Sequence, residues 1–165
     1  MASSGNNLIN KGIPSVKDAF IVLVKTEWNA PIVNLLEKGA KKILKAAGTQ
    51  VQTLTVPGAV EIPFAIKNHY AYSASLPDAY IALGTVIQGD TPHFTYVCQS
   101  VTDGITQLNL SLDVPVIFGV LTLLNEEQAR ERTGGKHGNK GEEAAITALK
   151  MIALNQRLKK PKTRR

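Results

Sequence analysis

Apolar positions recur along this chain in two alternating rhythms. Ala19 to Val24 and Ala79 to Ile87 are nearly continuous apolar runs, of the length and composition of strands buried on both faces. After the first run, Ile32, Leu36, Gly39, Ile43 and Ala47 fall at spacings of three and four. They mark one face of a helix opened by Asn29-Ala30-Pro31 and stopped by Gly48. Thr49 to Val56 reads as the next strand, and Pro57-Gly58 as a turn into a helix from about Ala59. Phe94, Val97, Val101, Ile105, Leu108 and Leu112 stripe a long helix, and Val116 to Leu121 reads as the last strand. Two closing helices are predicted, roughly Asn125 to Thr133 and Glu142 to Leu158, separated by glycine-rich residues 134 to 141. Strands alternating with helices, with no internal repeat, predict an α/β fold whose parallel sheet is covered on both faces.

The most chemically pointed stretch is Leu83 to Phe94. The strand ending at Ile87 turns over Gly89 into a helix, with Thr91 as the expected N-cap and Pro92 as the first helical residue. Free N–H groups and the positive end of the helix converge there, which suits a phosphate or another anion. His93 lies in the same first turn and can give and take a proton near neutral pH. Anion pocket and acid/base group therefore coincide, as expected of an enzyme acting on a phosphorylated small molecule.

Ligands of such sheets bind at the carboxyl ends of the strands. Glu27-Trp28-Asn29, Pro57 to Glu61, Gly89 to His93 and Thr122 to Asn125 would share that rim. An indole, exposed amides at Gly58 to Val60 and the Glu61 carboxylate suit a flat heterocycle bearing hydroxyls, distinct from the anion.

Composition narrows the picture less. The 165 residues carry a formal net charge of +6, but six of the 19 basic residues lie in 157–165 without an acid, and the remainder balances the 13 acids. The excess is a tail, read as solvated rather than as a nucleic-acid surface. Cys98 is the sole cysteine, so no internal disulfide forms, and no thiol-rich metal site is expected. Residues 1 to 15 lack an apolar signal core and no run is long enough to cross a bilayer, which predicts a soluble, unprocessed, cytoplasmic chain. The expected division is an N-terminal arm (1–15), one domain (16–158) and a basic disordered tail (159–165).

Several motifs in order resemble the lumazine synthase family. They are Trp28-Asn29, Val56 to Pro63, Gly84 to Phe94, Pro115 to Thr122, and Gln128 to Gly141, spread over about Asp18 to Leu158. The resemblance implies a flavodoxin-like three-layer α/β/α sandwich around a mostly parallel four-stranded sheet. It implies condensation of 5-amino-6-ribitylaminouracil with 3,4-dihydroxy-2-butanone 4-phosphate to 6,7-dimethyl-8-ribityllumazine, a step of riboflavin biosynthesis, without metal or organic cofactor. The pyrimidine would stack on Trp28 near Phe118. Ala59, Val60 and Glu61 would bind the ribityl chain, and Thr85, Val86 and Ile87 would line the ring. Phosphate would lie on the Asp90 and Thr91 backbone and on Arg132, with His93 moving the proton. Lys140 is carried as a substrate contact, although it and Lys136 read equally as solvated lysines of the glycine-rich loop.

Plainer roles stand beside these. Trp28 could be a packing residue, Glu61 a first-turn charge, and Arg132 a surface partner of Glu127 or Glu131. His69 and His137 read as surface residues and Cys98 as helix packing. The chain departs from the family's usual pattern at Trp28, commonly phenylalanine, at Val60, commonly a larger aromatic, and at Gln88, often arginine. The first two changes enlarge the platform and the space above it, which suits riboflavin as an additional ligand.

The resemblance also implies a pentamer with sites between neighbours. The short Arg132 to Gly141 segment favours an icosahedral shell of pentamers, with riboflavin synthase as a candidate partner. The N-terminal arm, with Leu8, Ile9, Ile13 and Val16, would add a strand to a neighbour's sheet edge. The competing reading is a non-catalytic flavin-binding or shell-forming scaffold of the same fold.

Overall fold

The computed structural model describes residues 12–159. Four strands, β1 (Phe20–Thr26), β2 (Gln50–Val56), β3 (Ala79–Ile87) and β4 (Val116–Leu123), form one sheet in the order β2-β1-β3-β4. Every pair is parallel, with Ile21 beside Val51 and Ala79, and Ile81 beside Ile117. Successive residues of each strand point to opposite faces, so the sheet supports two cores. Ile21, Leu23, Ile81 and Leu83 pack with α1 (Ala30–Ala46) and α5 (Lys140–Lys159). Val22, Val24, Tyr80 and Ala82 pack with α2 (Ile62–Tyr72) and α3 (His93–Ser111). The expected three-layer sandwich is present.

Several boundaries differ from those expected of the sequence, β1 running on to Thr26 and β4 to Leu123 among them. The Thr91 side chain makes no capping hydrogen bond: Pro92 precedes the first residue of α3 with backbone angles already helical (φ −61°, ψ −7°), leaving the turn without a side-chain cap. Residues 134 to 141 are not a spacer. They enter an antiparallel hairpin, β5 (Thr133–Gly135) with β6 (Gly138–Asn139), which follows the short helix α4 (Glu126–Arg132). Gly134 and Gly138, at φ 129° and 71°, supply the backbone that other residues rarely adopt. α5 then starts at Lys140, because the Asn139 carboxamide accepts the N–H groups of Gly141 (2.9 Å) and Glu142 (3.3 Å). It continues through Lys159, assigned above to the tail.

Val16 is likewise not part of a free arm. It is buried in the core on the α1 side, while Ile13 lies beside Ile43 and Ala47 at the surface. Leu8, Ile9 and residues 160–165 lie outside the described residues.

His69 is half-buried rather than superficial: its Nδ1 is 2.8 Å from the hydroxyl of the fully buried Tyr80. Burial lowers the His69 pKa and, aided by the neighbouring Tyr70 charge, pushes Tyr80 up to about 12. Cys98 is half-buried on α3, as expected of a packing residue.

One polar cluster ties α1 to the sheet. Glu37 lies 2.6 Å from both Lys25 on β1 and Lys41, and accepts a hydrogen bond from Thr53 on β2. Burial alone would raise the Glu37 pKa, but the two ammonium groups outweigh it and hold the carboxyl below its ordinary 4.5. A depressed folded pKa stabilises the fold above the unfolded value and ceases to do so as pH falls through the folded one. Glu37→Gln should therefore cost about 1 kcal/mol at pH 7. Urea titrations should show the difference from the parent shrinking as pH drops below 4.5; a difference independent of pH would assign the loss to packing alone.

Candidate active site

The chain leaves β1 toward β2 on one side and later returns to β3 on the other, so the carboxyl ends of β1 and β3 flank a crevice. Asn29 bridges it. Its backbone is left-handed (φ 58°), a conformation asparagine tolerates, and its side-chain amide donates to the Thr85 carbonyl at 2.9 Å instead of capping α1. The local sequence marks Asn29 as a helix start but carries no sign of this link.

Trp28 is fixed by its backbone and open at its ring. Its N–H donates to the Pro57 carbonyl (3.1 Å) and its carbonyl accepts from the Thr26 hydroxyl (3.1 Å). The indole is 68% exposed and lies on Gly58, where a Cβ would fall 2.8 Å from Cε3. The Glu61 carboxylate accepts the Gly58 N–H at 3.0 Å, so one of its oxygens steadies the turn that carries the indole. Beside it Ala59 is buried and Val60 is exposed.

Further round the rim, Thr85 is buried with its hydroxyl unpartnered, Val86 and Ile87 are half-buried, and Asp90, Thr91 and His93 are exposed. The first turn of α3 is left without a side-chain cap, so its N–H groups are available to a ligand.

A second surface runs along β4, which is an edge of the four-stranded sheet. A groove of about 690 Å³ follows the strand and is bounded by α5. Phe118, Arg132 and Lys140 line it, together with Glu143 and Thr147, which the sequence reading did not single out. Lys140 pairs with Glu143 at 2.6 Å, an i,i+3 spacing that could have been read from the sequence. Arg132 donates from Nη1 to the Gln128 carbonyl at 3.1 Å and faces the Glu131 carboxylate at 3.6 Å.

The expected residues thus form two groups. Trp28, Ala59 to Glu61, Thr85 to Ile87 and Asp90 to His93 surround the crevice, whereas Phe118, Arg132 and Lys140 face the β4 groove. No residue of the first group lines that groove.

The family model for 6,7-dimethyl-8-ribityllumazine synthase matches residues 18–156. The chain belongs to the lumazine synthase family. A 6,7-dimethyl-8-ribityllumazine synthase of Porphyromonas gingivalis is 48% identical over 162 residues, covering 94% of this chain and 99% of the relative. The protein of that name from Parabacteroides distasonis is 46% identical over 158 residues, 92% and 98% of the two chains. Another from Bdellovibrio bacteriovorus is 50% identical over 137 residues, 82% of this chain and 75% of the relative. Relatives named for catalysis over nearly the whole chain do not favour a non-catalytic scaffold. No described helix is long and apolar enough to cross a membrane.

Within this lumazine synthase fold, Gly58 is the seat of the aromatic plate. A methyl group in Gly58→Ala would push the exposed indole aside, since the ring can give way more easily than the backbone beneath it. The chain has one tryptophan, so its emission reports the displacement directly. The expected result is a shifted spectrum with stability within about 1 kcal/mol of the parent. An unchanged spectrum would show that the indole does not rest on Gly58.

Proposed function

We infer that the chain condenses 5-amino-6-ribitylaminouracil with 3,4-dihydroxy-2-butanone 4-phosphate to 6,7-dimethyl-8-ribityllumazine, at a site completed by a second copy of itself. The carrying observation is the split of the site residues between the crevice rim and the β4 groove. One chain's rim would supply the aromatic plate, the ribityl contacts and the proton-transfer group. Its neighbour's groove would supply Phe118, Arg132 and Lys140.

In this reading the pyrimidine lies on the exposed Trp28 indole, edged by Thr85, Val86 and Ile87, with its ribityl hydroxyls toward Ala59, Val60 and the free oxygen of Glu61. The phosphate of the second substrate lies on the uncapped start of α3 at Asp90 and Thr91 and is neutralised by Arg132, whose fork of donors suits that anion. Imine formation, loss of phosphate and ring closure demand orientation of two substrates and repeated proton movement. His93, beside the phosphate and open to the rim, takes and returns those protons. No step needs a redox group. The same plate, with only Val60 beside it, accommodates the wider ring system of riboflavin.

The copies associate as pentamers, and the short β5–β6 hairpin favours closure of pentamers into a shell. The chain acts in the cytoplasm, where riboflavin synthase is the enzyme that uses its product.

Purified chain mixed with both substrates should develop lumazine fluorescence, and His93→Ala should slow turnover by roughly ten- to a thousandfold while pyrimidine affinity is retained. Unchanged turnover would remove His93 from the proton-transfer role. Light scattering on the eluting species should give at least five subunits. A fully active monomer would sink the shared site.

A further inference from the structure

His137 was expected at the surface, yet the hairpin folds it back against the end of α4. Its N–H donates to the Glu131 carbonyl at 2.8 Å. Gly135 lies so close to α4 that a Cβ would fall 2.8 Å from the Arg130 carbonyl oxygen and 2.9 Å from Glu131 Cα. With the hairpin pressed down in this way, the His137 ring has 19% of its surface exposed and its Nε2 stands 3.5 Å from a Glu131 carboxylate oxygen. Its Nδ1 is buried without a partner, and Nε2 is the ring nitrogen that faces the carboxylate.

The same Glu131 oxygen, Oε2, lies 3.6 Å from Arg132 Nη1. Nη1 also donates to the Gln128 carbonyl, so one corner of the guanidinium is held from two sides while its other donors remain for the β4 groove that Arg132 lines. Arg130, the remaining arginine of α4, turns instead to Glu126 at 3.9 Å.

We propose that Glu131 and His137 are positioning residues that orient the Arg132 guanidinium for the substrate phosphate, His137 acting only through the Glu131 carboxylate. The proposal rests on the reading that Arg132 receives that phosphate. Phosphate recognition by arginine depends on the direction of the fork as much as on charge, so a guanidinium loosened at one corner binds the anion less well. The guanidinium keeps its own charge, and the chemistry of the reaction is untouched.

The test is steady-state kinetics of the full chain with each substrate varied in turn. Glu131→Gln and His137→Ala should each raise KM for the phosphorylated substrate about three- to tenfold, the scale of one half-buried ion-pair contact, with kcat and KM for the pyrimidine little changed. His137→Gln, which keeps an N–H donor near the place of Nε2, should restore most of the loss. Arg132→Lys serves as the control for the underlying reading. If Arg132→Lys raises this KM and Glu131→Gln does not, the positioning role is overturned while the phosphate site stands. If Arg132→Lys leaves it unchanged, the phosphate site itself is wrong. A His137→Ala chain that weakens both substrates alike, or a His137→Gln chain no better than it, would reduce His137 to a structural part of the hairpin. Should His137→Ala fail to fold, Glu131→Gln decides the question alone.

Discussion

Where α5 meets α1 there is no room for a side chain, and much of the molecule is arranged around that fact. Gly141 lies directly against the Leu36 carbonyl, and Gly39 against the side-chain amide of Asn139. Asn139 uses both ends of that amide: its oxygen caps α5, and its nitrogen donates to the carbonyls of Leu35 (3.2 Å) and Thr133 (3.3 Å). One side chain therefore joins α1, the end of α4 and the start of α5. Polar groups partly buried at such a junction favour one arrangement over near alternatives, since each loses its partners if the helices slide. Lys140 follows immediately and Arg132 precedes Thr133, so the junction also sets the height at which both cations meet the β4 groove.

The parts of the fold that could be read from the sequence are those whose chemistry is decided locally. β3 is apolar from Ala79 to Ile87 because both of its faces are covered, and its observed bounds match the run of residues. The stripe on α3 is similarly plain: Val101, Ile105 and Leu108 are its buried residues. The glycine-rich stretch was opaque for the opposite reason. Glycine there signals close approach to another element, and no pattern within residues 134 to 141 names Leu36 or Arg130 as the neighbour. His137 was misread as superficial because its burial comes from the fold-back of that hairpin, and His69 because its partner Tyr80 is eleven residues away on a buried strand.

The candidate site was legible residue by residue but not as a layout. Strand ends and turn residues located the rim, and the proline-led helix start located the uncapped first turn of α3. Sequence alone could not reveal that Arg132 and Lys140 open onto the far side of β4, since that follows from β4 being an edge strand. Nor does any local pattern show that Phe64 and Tyr72 on α2, and Tyr96 and Leu110 on α3, are all more than half exposed.

The contact between Trp28 and Gly58 has a different kind of consequence. The indole rests on a stretch of main chain and is tied down through its own peptide group, so its ring is not keyed into either core. Most aromatic side chains of a small domain are interlocked with their neighbours, and exchanging one forces compensating changes around it. Here the exposed indole is a detachable part. A lineage could exchange a broad ring for a narrower one at position 28 while the sandwich beneath it keeps the same shape.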